Sequence, residues 1–272
     1  MPFFETSDGC ELFYEIRAAG ADRPFVVFLN GFTQTTVYWY GRVPVFKNHF
    51  SLLLYDARGQ GRSGIGNQQL SLDRHVDDLA KLLAHLRIDR AHLVGLSHGA
   101  RVALAYAAEN PGNVGRLVLC GLGAGDSRQN RRVVSSWKSI LASGRPERMA
   151  ETIFPAIFGK VFFEHHRGIM TDLATAVVER NRKNALLAQL SALPAYPSPE
   201  SARIPEAIGC LVLSGADDTL VTPSSAAALA AHLNGRHEVI GDAGHSLPVE
   251  APGRFDRLVL EFLRSTGTPR RT

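Results

Sequence analysis

The feature that most limits what this 272-residue chain can become is the stretch Ala91–Leu104, AHLVGLSHGARVAL. An apolar run at Leu93 and Val94 gives way to Gly95, Leu96, Ser97, His98 and Gly99, then to an alanine-rich pattern with helical spacing. This order predicts a strand, a tight turn and a helix, with Ser97 at the apex. Side chains at positions 95 and 99 would collide where the helix folds back over the strand end, so both positions call for glycine. Ser97 is thereby expected in a sparsely populated backbone conformation that holds its hydroxyl out of the sheet. In a chain with 25 glycines a G-x-S-x-G string carries little weight by itself. Between a strand and a helix it points to a nucleophile. A serine that only caps the following helix would occupy the same place, so the partners decide.

A serine hydroxyl is a poor nucleophile near neutral pH and needs a base, and the base needs an orienting carboxylate. Gly241–Pro252, GDAGHSLPVEAP, offers His245 on a glycine-flanked loop between a predicted strand and the last helix. Upstream, Cys210–Pro223, CLVLSGADDTLVTP, reads as a buried strand followed by Asp217 and Asp218. The chain order is serine, aspartate, histidine.

Four pieces in sequence then resemble the α/β-hydrolase superfamily, serine-nucleophile branch, over nearly the whole chain. They are NGF at Asn30–Phe32, YDARGQGRSG at Tyr55–Gly64, GLSHG at Gly95–Gly99, and the GADD and GH–E–P pieces near the end. The resemblance implies an α/β fold: a mostly parallel eight-stranded sheet flanked by helices, with a helical cap inserted between core strands. Its domains would be a first core part at 1–123, a cap at 124–200 and a second core part at 201–272. It implies a triad of Ser97, His245 and an acid three residues past Gly215, which is Asp218. Asp217 (by a one-residue slip) and Asp126 (after the preceding strand) stay open as alternatives. It also implies that the backbone N–H groups of Phe32 and His98 bind the substrate oxygen as it gains charge. Asn30 stands where the family usually has histidine, and Asp56 and Arg58 are expected to be structural. Serine at the turn excludes the dehalogenase and epoxide-hydrolase branches, which use aspartate there. No cofactor or metal is implied.

The Asn-Gly pair at 30–31 resembles enol-lactone hydrolases and bacterial enzymes that join hydroxyacyl chains. The expected activity is therefore hydrolysis of a carboxylic ester or lactone, with a small-molecule acyl substrate. The alternative is a thioesterase or acyltransferase taking its chain from an acyl carrier protein or CoA thioester. A third reading, a ligand-binding protein without turnover, follows from the rule that fold does not fix function.

The rest of the chain agrees with this frame. Phe3–Thr6 and Glu11–Arg17 flank Ser7-Asp8-Gly9 as a hairpin. Continuous apolar runs at Phe25–Leu29, Phe50–Tyr55 and Gly115–Cys120 suit strands covered on both faces. Ser71 is expected to cap a helix with apolar Leu72, Val76, Leu79, Leu82, Leu83 and Leu86, on which His75 and His85 read as surface or packing residues. From Arg131 to Leu193 the pattern is mostly helical, with DLATAVVERNRKNALLAQLSAL as its longest run. Trp137, Phe154, Phe158, Phe162 and Phe163 could line an acyl pocket or simply pack the cap. The pair His165-His166 lacks a third ligand nearby and does not read as a metal site.

Positions 124–195 hold eleven basic and six acidic residues, so this segment carries the positive balance of a chain whose formal net charge is +4. Such a face is usually just solvated, though it would also attract an anionic substrate or acyl carrier. The charge is too small and dispersed to suggest nucleic-acid binding. Of three widely spaced cysteines, Cys120 and Cys210 end and begin apolar runs and read as buried small apolar residues, so neither a disulfide framework nor a metal site is expected. An acidic N-terminal stretch and the lack of a membrane-length apolar run lead to the expectation of a cytoplasmic protein.

Overall fold

Apolar runs without polar alternation form the centre of the molecule. In the computed structural model, which describes residues 2–20, 23–125 and 128–265 (excepting the side chains at 128–131, 146 and 150), they become strands β3 (Phe25–Leu29), β4 (Ser51–Tyr55), β5 (Ala91–Leu96), β6 (Val114–Cys120) and β7 (Gly209–Gly215). With the hairpin β1 (Phe3–Glu5) and β2 (Glu11–Arg17) and the edge strand β8 (Arg236–Ile240), they make one sheet of eight described strands. The order is β1-β2-β4-β3-β5-β6-β7-β8. The β1–β2 and β2–β4 pairs are antiparallel; every pair from β4 to β8 is parallel.

Strand alternation sends side chains to two cores. Val27, Leu29, Leu53 and Leu93 face α2 (Leu72–His85), α3 (His98–Glu109) and α10 (Pro223–His232). Val26, Phe28, Leu52 and Val94 face α1 (Val43–Phe46) and α12 (Pro252–Arg264), where Trp39 and Phe255 are fully buried. On α2, the Ser71 hydroxyl accepts the Arg74 N–H at 3.1 Å, as a cap should, and the predicted apolar positions from Leu72 to Leu83 are buried. Cys10, Cys120 and Cys210 are free and buried.

Between β6 and β7 the chain leaves the sheet and runs through α4 (Arg128–Ser143), α5 (Pro146–Thr152), α6 (Phe154–Ile157), α7 (Lys160–His165), α8 (Met170–Arg180) and α9 (Lys183–Ala192). These helices share a separate apolar cluster including Leu141, Met149, Phe154, Met170, Leu186 and Leu190. One detail departs from the sequence reading. The run DLATAVVERNRKNALLAQLSAL is not one helix: Asn181 is extended, at φ −124° and ψ 152°, and divides α8 from α9. Its amide joins α8 to the core, accepting the Gly61 N–H at 3.0 Å and donating to the Thr33 carbonyl at 3.0 Å and the Val177 carbonyl at 2.9 Å. The last short helix before α12 is α11 (Leu247–Glu250). Among the described residues no helix is long and apolar enough to cross a membrane.

Candidate active site

The turn after β5 has the predicted form. Ser97 sits at φ 53° and ψ −110°, a conformation costly for any residue with a side chain. Glycine on either side makes it possible. A Cβ on Gly95 would lie 2.5 Å from the Gly99 carbonyl oxygen, and one on Gly99 would strike the Leu29 backbone. The Ser97 N–H donates to the Cys120 carbonyl at 2.8 Å, fixing the serine against the end of β6.

The residue after that carbonyl holds the imidazole. Gly121, at φ 58°, lies so close that an added Cβ would stand 2.7 Å from Cε1 of His245. Nδ1 of His245 pairs with Oδ2 of Asp218 at 2.8 Å, and the other Asp218 oxygen accepts the N–H groups of Leu220 and Val221, each at 2.9 Å. With both carboxylate oxygens engaged, Asp218 accepts from Nδ1–H and leaves Nε2 as the basic nitrogen. Burial alone would lower the imidazole pKa; the charges of Asp218 and Glu250 outweigh it and hold the pKa above the ordinary histidine value. Asp217 is exposed, so Asp218 is the aspartate brought to His245; Asp126 lies outside the described residues.

The histidine loop is held from below by Glu250. Its Oε2 accepts the N–H groups of Gly244 (2.8 Å) and Gly159 (2.7 Å), and its Oε1 that of Ser246 (2.8 Å). The His245 N–H itself donates to the Ile157 carbonyl at 2.7 Å. The helical segment and the histidine loop are thus stitched together at residues 157–159 and 244–246.

Asn30, at the position where histidine was expected, is buried and bridges two elements. It donates to the Tyr55 carbonyl at 2.9 Å and accepts from the Trp39 indole at 2.9 Å. The loop that follows is fixed by Gln60, which donates to the Gly31 carbonyl, and by Gln34, which accepts the Gly31 N–H. Thr33 takes a positive φ of 68°. Among the described residues no acceptor takes the N–H of Phe32 or of His98, and the latter opens α3.

Two cavities meet at this point. The larger, about 330 Å³, is walled by Phe154, Ile157, Phe158, Leu173, Val177 and Val249. The smaller, about 170 Å³, is walled by Leu122, Val133, Val134, Leu193, Leu220 and Val221. Ser97, His245, Phe32 and Trp137 line both. The rings of Phe32 and Trp137 stack at 6.4 Å between centroids. Of the aromatics singled out in the sequence, Trp137, Phe154 and Phe158 reach the larger cavity, while Phe162 and Phe163 pack against the helical cluster.

The remaining candidates sort as structural. Asp56 accepts the N–H groups of Thr36 and Arg62, and Arg58 is fully buried between Asp8 and Asp78. His75 is buried edge-on to His98, their ring centroids 4.8 Å apart. His165 and His166 each bond a carbonyl of their own helix, at Val161 and Phe162. Sequence reasoning did not single out Asn181, the bridging role of Glu250, or Arg180 on the larger cavity. The GH–E–P piece was the one signal that could have marked Glu250.

Residues 24–252 match the family described as alpha/beta hydrolase fold. A protein of Pantoea ananatis, provisionally named carbamate hydrolase RutD, is 28% identical over 261 residues, covering 92% of this chain and 93% of that protein. The solved alpha/beta hydrolase enzyme MGS-M2, from a Medee basin deep-sea metagenome library, superposes with a TM-score of 0.87 at 25% identity, covering 99% of this chain and all of that one. The enol-lactonase of Burkholderia xenovorans LB400 shares the fold, with a TM-score of 0.86 at 23% identity over 97% of this chain and 100% of that one.

Proposed function

The chain belongs to the alpha/beta hydrolase fold family, and from that premise we propose that it cleaves a carboxylic ester or lactone by way of an acyl-enzyme on Ser97. The single observation that carries this reading is that the His245 imidazole, paired with Asp218 at 2.8 Å, lines the same two cavities as Ser97. In this reading the helical segment at 124–200 is the cap that roofs the site.

His245 Nε2 takes the hydroxyl proton as Ser97 Oγ bonds to the carbonyl carbon. Asp218 keeps the imidazole in the right tautomer and stabilises its charged form. The N–H groups of Phe32 and His98 hold the oxygen that becomes negative; one such donor is typically worth about 3–4 kcal/mol. The C–O bond to the alcohol then breaks, and the alcohol leaves with the proton from His245. Water, deprotonated by the same nitrogen, releases the acid and restores Ser97. The two cavities suit the two arms of an ester, and the apolar larger one suits a hydrocarbon arm.

The test is turnover of matched oxygen esters, lactones and acyl thioesters, with and without a hydroxyacyl acceptor, by the wild type and Ser97→Ala. Loss of roughly 10⁴-fold or more in kcat for ester or lactone in the variant supports the reading. Equal turnover by the variant, or ligand binding with no turnover by either protein, sinks it. Faster release to the hydroxyl acceptor than to water replaces hydrolysis with acyl transfer.

A further inference from the structure

The larger cavity is lined by aromatic and aliphatic side chains, by neutral hydroxyl and amide groups, by Ser97 and His245, and by a single permanently charged residue, Arg180. Arg180 is exposed, so water solvates its guanidinium at the edge of this apolar lining and a protein partner is optional. Among the described residues Arg180 has none. Its backbone is nonetheless held in place. Arg180 ends α8, and the next residue, Asn181, is buried and bonded to Gly61 and to the Thr33 carbonyl. Thr33 directly follows Phe32, so the cation's attachment point is tied to the loop that carries the Phe32 N–H. Val37, Leu173 and Val249 also line this cavity and are 37–39% exposed. The cavity therefore opens to solvent through an aliphatic rim.

We propose that Arg180 determines specificity by receiving a carboxylate at the far end of an apolar substrate arm that fills the larger cavity. The preferred substrates are then half-esters of dicarboxylic acids. This deepens the serine-hydrolase reading and rests on it. A planar guanidinium binds both oxygens of a carboxylate at once, which fixes the arm's direction as well as its depth. One fixed positive charge among neutral walls balances a monoanion; a phosphate monoester would bring nearly twice that charge. The alternative role for Arg180 is complementing the negative end of the α8 dipole, which asks nothing of the substrate.

The experiment compares kcat/KM for p-nitrophenyl half-esters of dicarboxylic acids, across a series of chain lengths, with neutral p-nitrophenyl alkanoates of matched length. At one optimal length the half-ester is expected to be favoured about three- to tenfold at low salt, chiefly through KM, and the advantage should shrink as salt is added. In Arg180→Gln that ratio should fall to near one, and Arg180→Lys should keep part of it. No preference at any length, or a preference unchanged in Arg180→Gln, overturns the proposal. A dipole role alone would lower both substrates together and leave the ratio intact, which also overturns it. Binding of free dicarboxylates and matched monocarboxylates to Ser97→Ala, by calorimetry, needs no turnover. Tighter dicarboxylate binding that disappears in Ser97→Ala/Arg180→Gln supports Arg180 even if no ester is cleaved, and the failure then lies with the catalytic reading. Equal binding of both acids counts against Arg180 whatever the catalysis does.

Discussion

Glu250 and Gly159 lie 91 positions apart, yet the Glu250 carboxylate accepts the Gly159 N–H at 2.7 Å while also accepting the N–H groups on both sides of His245. One side chain thus ties the helical segment to the loop that presents the imidazole. Glu250→Ala is expected to lower kcat by about 10–100-fold, because small displacements of a reacting group are that costly. Glu250→Gln keeps one acceptor oxygen but turns an NH₂ toward N–H donors, so it should rescue only partly. A purely structural role would leave the titration of His245 alone. Loss of the Glu250 charge should instead move the acid limb of the pH–rate profile to lower pH, since that charge helps to hold the imidazole pKa up.

In the wild type that limb should lie above pH 6.5. Burial disfavours the imidazolium, but the charges of Asp218 and Glu250 outweigh it and raise the pKa. A general base works only when neutral, so kcat/KM rises with pH through the raised value and then levels off. Asp218→Asn removes the carboxylate charge and the Nδ1–H acceptor together. Its acid limb should shift down while the plateau falls by about 10⁴-fold. An unshifted limb in this variant would remove Asp218 from the proposed triad.

Much of this arrangement was legible in the sequence because it is encoded locally. Gly95 and Gly99 bracket Ser97 within five residues, and the Asp218 and His245 loops each follow a recognisable apolar strand. What stayed hidden is encoded at a distance. Residues 170–192 all favour or tolerate helix, and nothing among them reveals that Gly61 and Thr33 will claim the Asn181 amide. Arg180 was one of eleven basic residues in its segment, and only the folded cavity separates it from the ten others. His75 read equally well as surface or packing; its burial depends on His98 and the far side of α3.

Gly121 meets the imidazole on one side while its neighbour Cys120 accepts the Ser97 N–H. Gly121→Ala combines two penalties: a left-handed backbone at φ 58° and a Cβ placed 2.7 Å from His245 Cε1. The ring must tilt or shift away, and its hydrogen bond to Asp218 must distort. The expected result is a loss of about 100-fold in kcat, together with a modest drop in Tm. Full activity in this variant would mean that the imidazole is not held at this place during turnover.

Arg58 makes a different kind of statement, about stability. Its guanidinium is fully buried and engages Asp78 through two hydrogen bonds at 2.7 Å and Asp8 through two more at 2.7 and 2.9 Å. It thereby joins the turn of the β1–β2 hairpin to α2. Arg58→Ala strands two carboxylates in the interior and should cost about 3–5 kcal/mol, visible as a drop of roughly 10 °C in Tm. Arg58→Lys should recover little of it, because an ammonium cannot fork between two carboxylates. Activity per folded molecule should be nearly retained, which separates Arg58 from the residues around Ser97.

The buried histidines make stability fall on mild acidification. Burial holds His75 well below the ordinary value and lowers His92 and His98 to about 4. In the folded chain these rings stay neutral, while in the unfolded chain they take protons below about pH 6.5. The unfolded state then binds more protons, so stability declines as pH drops from 6.5 toward the depressed folded values, by about 1.4 kcal/mol per pH unit for each histidine. His245 has a raised pKa and works in the opposite direction, contributing stability below pH 6.5 that is lost as pH rises through its folded value. His237 is lowered as well. Asp256, raised to about 6 by burial, takes up a proton in the folded chain over the same range and opposes the histidines. The contribution of one site therefore shows in the difference between wild type and variant. His75→Leu removes one lowered site without removing a hydrogen bond, since neither ring nitrogen of His75 has a partner. Urea unfolding at pH 7, 6 and 5 should show the variant's stability falling less steeply than the wild type's, by about one proton's worth. Parallel lines for the two proteins would mean that the His75 site accepts a proton in the folded state after all.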